Sequence, residues 1–234
     1  MSAGIDTGDS AIAPAEMTLD ELRLHLAPLI ADAAVFDGWS EEALDMAAQQ
    51  AGVDGDVARL AFSSMAPGGR AMDMIGAWIE AIDIEMADAL PPADLTKMPI
   101  RERIRSLVQF RLDAVRGQEE ALRRALAIMA MPQNAARALR TGWHSADVMW
   151  RLAGDTATDY NHYTKRAMLG SIYGATLAVF VSDESEDKAE TRAFLDRRIE
   201  GVMRFEKTKA KWLNPDRESF SVTRFLGRLR YPAR

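Results

Sequence analysis

WHSADVMWRLAGDTATDYNHYTKRAMLGSIYGATLAVF, residues 143–180, is the stretch whose reading decides the fold. Ala146, Met149, Trp150 and Ala153 recur at i, i+3, i+4 and i+7, and Leu169, Ile172, Tyr173, Thr176 and Phe180 continue such spacing after a polar break. Each half presents one largely apolar face at helical periodicity, so two packed helices are predicted with a corner between them. Gly154 suits the left-handed C-terminal position of the first helix, and Asp155, Thr158 and Asp159 offer oxygens to the free N–H groups of the second. Capping does not require the further density of polar and aromatic side chains in Asp159, Tyr160, Asn161, His162, Tyr163, Lys165 and Arg166. A capped corner with a solvated first turn and a recognition surface both remain open here.

Working outward, the chain is dominated by Ala, Leu, Met, Glu and Arg, with Val and Ile scattered, which predicts an all-α protein. The 234 residues, 48% hydrophobic, suffice for a sizeable core. No cysteine is present, which rules out disulfides and thiolate metal sites and points to an intracellular home. Residues 1–16 carry neither a basic residue nor an apolar block. They read as a disordered tail, neither a secretory signal nor an Arg-rich transit peptide. The longest uncharged run, residues 167–181, falls short of the roughly 20 residues that span a bilayer.

Nine helices are expected before residue 214. The first runs from Leu19 to Ala34, capped by Thr18, with Pro28 as a possible kink. A helix capped by Ser40, a turn at Gly52 and a short helix over Asp56 to Ser64 then give helix-turn-helix spacing. Charge argues against DNA for this unit. Residues 17–65 hold nine acids against Arg23 and Arg59, a net of −7, and the first turn of the would-be recognition helix reads Asp54-Gly55-Asp56. DNA affinity comes chiefly from neutralising phosphates with Lys and Arg, so nucleic acid would be repelled. Further helices are expected over residues 70–90, 99–116, 119–131, from Pro132 into the Trp143 segment, through residue 180, and over 189–213 after the acidic loop SDESED.

No catalytic constellation is visible. His25, His144 and His162 are far apart, no Glu-x-x-His pair exists, and neither Gly-x-Ser-x-Gly nor a P-loop occurs, so no enzyme activity, cofactor or metal is expected. Thirteen methionines and five tryptophans either fill a core or line an adaptable apolar pocket. Gly170 and Gly174 form a Gly-x-x-x-Gly step that permits close helix approach, within the chain or across a dimer. The end of the chain is basic, with nine Lys and Arg against three acids over residues 204–234. There Val222, Phe225, Leu226 and Leu229 lie at i, i+3, i+4 and i+7, and Arg224 and Arg228 lie opposite. With Phe220 nearby and Trp212 as an anchor before the Asn214-Pro215 hinge, this is a basic amphipathic helix suited to an anionic membrane surface. Packing on its own domain is the alternative.

The segments AGDTATDYNHYTKRAML and TRAFLDRRIEGVM also carry a resemblance, extending over about residues 19–213, to the ubiquinone-biosynthesis accessory family known as Coq nine. That family is a group of lipid-binding proteins with a TetR-like fold. The resemblance implies a TetR-like helical bundle, with a helix-turn-helix-like unit over 17–65, a lipid-binding and dimerisation domain over 66–213 and a membrane-binding tail over 214–234. It further implies a non-catalytic homodimer that presents an isoprenoid lipid or quinone precursor to the demethoxyubiquinone hydroxylase. Candidate pocket residues are Met72, Ile75, Trp78, Ile79, Leu107, Phe110, Met129, Met149, Trp150 and Tyr173. Candidate partner-binding residues are Asp155, Asp159, Tyr160, His162 and Tyr163, and the eukaryotic pattern has Trp where this chain has His162. The location expected is cytoplasmic, peripheral to the inner face of a bacterial membrane. A TetR-type transcriptional regulator sensing an apolar ligand is the reading from a different class.

Overall fold

The computed structural model describes residues 13–63, 68–156 and 160–213, and every regular element among them is helical. Ten α-helices follow in order: α1 Leu19–Asp37, α2 Glu41–Ala51, α3 Gly55–Ala61, α4 Gly69–Ala89, α5 Pro92–Leu95, α6 Ile100–Ala114, α7 Glu119–Met129, α8 Ala135–Leu152, α9 Tyr160–Phe180 and α10 Ala189–Leu213. Short 3-10 turns stand at Pro14–Glu16, Pro132–Asn134 and Glu186–Lys188. The count exceeds the nine expected because Pro91-Pro92 does more than end α4. Proline at the first helical position has its φ preset and no N–H to leave unpaired, so Pro92 opens α5, whose Leu95 is fully buried. Pro14–Glu16 likewise turns regularly within what reads as a disordered tail.

The caps predicted at Thr18 and Ser40 hold: Thr18 and Glu21 form a reciprocal capping box on α1, and the Ser40 hydroxyl accepts from the Ala43 N–H. Asp54, read from the sequence as part of a helix first turn, is instead the N-cap of α3 and accepts from the N–H groups of Asp56 and Val57. Helix α1 continues through Pro28 and buries Leu22, Leu26 and Ile30 against α2, α3, α4 and α7. Each such side chain contributes about 1.5–3 kcal/mol by leaving water. Gly68, at the start of α4, has φ +93°, and a Cβ there would stand 2.3 Å from Met72 Cγ and 2.5 Å from Asn134 Oδ1. Only glycine fits that junction.

Residues Met1–Leu195 form one compact unit and Asp196–Arg234 a second. The helix-turn-helix unit expected over residues 17–65 lies within the first of these. Trp39, between α1 and α2, donates its indole N–H to the Ala121 carbonyl at 3.0 Å and packs on Trp78 with ring centroids 5.2 Å apart. Arg124 donates to the Phe36 carbonyl at 2.9 Å, and Gln118 to Asp32 at 2.5 Å. These long-range contacts fasten the helix-turn-helix to α4 and α7. Among the described residues no helix is long and apolar enough to cross a membrane.

The acidic loop after α9 is more ordered than its composition suggests. Asp183 is buried, and its carboxylate accepts from the N–H and hydroxyl groups of both Ser185 and Thr191, closing the turn into α10. Burial pushes this carboxyl up, but those hydrogen bonds outweigh it and hold the group far below the ordinary carboxylate range. A depressed folded pKa gives stability that is complete above the unfolded value, about pH 4, and is lost as pH falls below it. Asp183→Asn is expected to lower stability at neutral pH by about 1 kcal/mol, as for a lost helix cap. It should also flatten the acid limb of a melting-temperature profile below pH 4, which thermal denaturation across pH measures.

Candidate functional site: an apolar cavity and an aromatic corner

Helices α4, α6, α7, α8 and α9 enclose a cavity of about 150 Å³. Trp78, Ile79, Met129 and Tyr173, named from the sequence, line it. Met72, Ile75, Leu107 and Met149 are instead buried in the surrounding core, and Phe110 and Trp150 are half-buried away from it. Helical periodicity reports which face is covered, not what covers it, and that is why six of ten candidates miss the wall.

Residues that sequence reasoning passed over decide the cavity's character. Gly142, Gly170 and Gly174 form part of its wall, and at Gly142 and Gly174 an added Cβ meets nothing within 4 Å. The space exists because side chains are missing there. Gly170 also lets α9 approach α8, where its Cβ would stand 4.0 Å from Ala146 Cβ and from the Gly142 carbonyl. The Gly-x-x-x-Gly step thus serves a contact within the chain and does not by itself speak for a dimer.

Arg111 is the other omission. It lines the cavity, is 1% exposed, and forms an ion pair with Asp83 through one terminal nitrogen. The second Asp83 oxygen accepts from the Ser145 hydroxyl at 3.0 Å, and the guanidinium carbon lies 5.0 Å from the Tyr173 ring centroid. Burial pushes the Asp83 carboxyl up, opposed by the Arg111 charge and the Ser145 hydrogen bond. Burial also works against the charge of Arg111, but Tyr173 and Asp83 outweigh it and move the guanidinium up. A signal for this pair was available. Arg111 falls among Leu107, Val108, Leu112 and Val115, and Asp83 among Ile79, Ile82 and Met86, so each charge interrupts an apolar stripe.

At the α8–α9 corner Gly154 has φ +88°, and the N–H groups of Gly154 and Asp155 return to the Arg151 and Trp150 carbonyls, each at 2.9 Å. Asp155 does not present itself to a partner, because its carboxylate is buried between Lys165 at 2.6 Å and Arg166 at 3.0 Å. The 2%-exposed Arg166 side chain also donates to Asp147 and to the His162 carbonyl. Trp150 donates to the Lys165 carbonyl at 2.9 Å, beneath the Lys165 ammonium. Much of the polar density that reads as a recognition surface is internal wiring. What faces outward is largely apolar: the aromatic Tyr163 is 61% exposed and Trp143 37%, and the aliphatic Leu139 is 75% exposed. The Trp143 and Tyr163 rings are 6.0 Å apart, and His162 meets Tyr163 edge-on at 5.1 Å. Thr158 and Asp159, the side chain of Tyr160, and the membrane candidates Trp212, Phe220, Val222, Arg224, Phe225, Leu226, Arg228 and Leu229 lie outside the described residues and side chains.

The helix-turn-helix carries no free cationic face among its described residues. Arg59 chelates Asp45 with both contacts at 2.8 Å and also binds Asp56, while Arg23 pairs with Asp20 at 3.6 Å. The basic side chains answer the unit's own carboxylates.

If the cavity holds ligand, filling it at the glycines should close it. Gly142→Leu and Gly174→Leu are expected to abolish uptake of an apolar fluorophore while leaving the melting temperature unchanged or raised, since glycine inside a helix costs about 0.5–1 kcal/mol relative to alanine. Fluorescence titration paired with thermal denaturation reads both effects.

Comparison with known proteins fits this geometry. The COQ9 family's sequence model matches residues 135–206, which hold α8, the corner, α9 and most of α10. The ubiquinone biosynthesis protein COQ9 of Rattus norvegicus is 41% identical over 100 residues, 43% of this chain and 32% of the relative. That of Homo sapiens is 39% identical over 100 residues, 43% of this chain and 31% of the relative. The aligned part of the chain thus spans about a third of the length of these relatives. The crystal structure of a TetR transcriptional regulator from Nitrosomonas europaea superposes with a TM-score of 0.59 at 23% identity, covering 82% of this chain and 99% of the other. The relatives are named as mitochondrial, which overturns the expected placement in the cytoplasm at a bacterial inner membrane. An all-helical, TetR-like fold whose residues 135–206 match the COQ9 family model is what the resemblance anticipated.

Proposed function

We propose that this protein is a non-catalytic accessory factor of ubiquinone biosynthesis that binds an isoprenoid quinone precursor in the α4–α9 cavity and presents it to the demethoxyubiquinone hydroxylase. The observation that carries the reading is a mostly apolar cavity built by the same helices, α8 and α9, that bear the exposed aromatic corner and the COQ9 match. Ligand and partner would then meet on one pair of helices.

Magnitude sets what the cavity accepts. Pockets for drug-sized ligands measure about 300–1,000 Å³, while about 150 Å³ accommodates one benzene-sized ring. At about 150 Å³ this cavity takes a ring or a short branched segment, and a polyprenyl chain would extend beyond it. The runner-up, a DNA-binding regulator, is disfavoured by Arg59 being consumed by Asp45 and Asp56.

Docking would use Tyr163, Trp143 and Leu139, with Tyr163 replacing the anchor that a Trp at position 162 provides in the eukaryotic pattern. Exposed aromatic rings with a polar tip suit an interface. Co-purification with the hydroxylase, followed by lipid extraction and mass spectrometry, tests the whole reading, and an empty protein that takes up no quinone analogue overturns it. Within it, Tyr163→Ala should weaken hydroxylase binding by about tenfold, more than His162→Ala does, with the melting temperature of both nearly unchanged. Surface plasmon resonance gives the affinities, and equal binding by both variants moves the docking site elsewhere.

The basic amphipathic tail supplies the membrane contact in this proposal. Removing residues 215–234 should leave the melting temperature of the bundle unchanged and reduce sedimentation with anionic vesicles, as high salt does for the intact chain. Each basic side chain near such a surface contributes about 1 kcal/mol and is screened by salt. Equal vesicle binding with and without the tail refutes it.

A further inference from the structure

Of the described buried side-chain polar atoms without a hydrogen-bond partner, one belongs to a residue on the cavity wall, the Nε of Arg111. Elsewhere on that guanidinium a terminal nitrogen pairs with Asp83, Asp83 is held from its other side by Ser145, and Tyr173 lies under the Cζ at 5.0 Å. Arg111 is 1% exposed, so bulk water does not serve the remaining donor. Buried donors in native proteins are nearly always satisfied, and one that is not satisfied from within the protein is satisfied by what the adjoining space holds. The contents of this space must also suit the wall around the donor, which Trp78, Ile82, Leu122 and Leu177 make apolar.

We infer that Arg111 is the specificity-determining residue of the cavity: its Nε–H donates to a neutral acceptor oxygen on a ring, so the cavity selects an oxygenated ring, such as a quinone, over a hydrocarbon. The inference rests on the cavity being the ligand site and adds which end of the ligand enters. A cavity of about 150 Å³ admits one ring or one short piece of tail, and size alone does not choose between them. The unpartnered donor does. A tail segment would leave the Nε–H unpaired, whereas a ring carbonyl satisfies it, so the ring points inward and the chain outward. Charge narrows the class further. Asp83 already cancels the guanidinium charge, so a carboxylate or phosphate entering here would be desolvated with little net attraction, and a neutral carbonyl or hydroxyl oxygen is preferred. An ordered water is the competing occupant, and it would confer no preference between ligands of one shape.

The test uses duroquinone and durene, which share a tetramethyl-substituted ring and differ in two carbonyl oxygens. The ring is fully substituted and the chain has no cysteine, so covalent addition does not intrude. Calorimetric titration of the full-length protein should show duroquinone binding on the order of 10- to 100-fold tighter than durene, the range expected of a hydrogen bond to a charged donor. Arg111→Lys keeps the positive charge for Asp83 but replaces the planar fork with a single ammonium, and should reduce that preference about tenfold while leaving durene affinity unchanged. Should Arg111→Lys fold poorly, the double variant Arg111→Leu/Asp83→Leu removes the buried pair together, a change that apolar cores tolerate, and should bind both rings equally. Equal affinities in the wild-type protein, or a preference that survives both variants, overturn the role of Arg111 and leave the cavity as a ligand site. Binding of neither ring, under conditions where the fold is intact by circular dichroism, overturns the cavity reading and this inference with it.

Discussion

The arrangement depends first on one ion pair out of reach of water. Arg111 of α6 and Asp83 of α4 meet in the middle of the bundle, and through Ser145 and Tyr173 the same cluster holds α8 and α9. Such a pair adds little net stability, because removing two charges from water costs several kcal/mol per ion, offset only by good geometry and further hydrogen bonds. Losing one partner is a different matter, since the survivor stays buried and uncompensated, at a cost of about 3–5 kcal/mol. The pair therefore specifies more than it stabilises. It fixes how four helices stand around the cavity.

The two regions that bear on function share a construction: a rigid polar device supports an apolar surface. In the cavity the device is Arg111–Asp83–Ser145, and the surface is the wall around it. At the corner the device is Arg166 with Asp147 and Asp155, and the surface is Trp143 and Tyr163. Hydrogen-bonded charges in a low-dielectric interior resist displacement, so the apolar groups above them are presented without a large entropic loss on binding. The helix-turn-helix follows another logic. Its arginines are absorbed by neighbouring carboxylates, and its place in the fold is secured by Trp39 against Trp78 and Ala121, which makes it a buttress for α4 and α7.

Much of this was legible in the sequence because it depends on local chemistry. Helix existence followed from apolar periodicity, and helix starts from Thr18 and Ser40, whose oxygens accept from N–H groups three residues on. The left-handed turns at Gly52 and Gly154 followed from the absence of a Cβ. The inversion of charge that argues against DNA was readable by counting. Family likeness, carried by a contiguous motif at the corner, was readable for the same reason, and the all-helical TetR-like fold came with it.

What only the tertiary structure decided are the matters in which residues distant in the chain share a point in space. Periodicity marks Met72, Ile75, Leu107 and Met149 as buried, and they are, but burial does not say whether a side chain meets another side chain or a void. The void arises where glycines of α8 and α9 face Trp78 and Leu122, and no local pattern records that meeting. Asp155 looks like a surface group beside Gly154, yet Arg166, eleven residues on, draws it inward. Asp183 reads as part of a solvated acidic loop until Thr191 closes over it. By itself the sequence determined which segments are helical and which faces are apolar, since both depend on neighbours within a turn. The tertiary structure alone decided which charges are buried together and where space is left, because both depend on which helices meet.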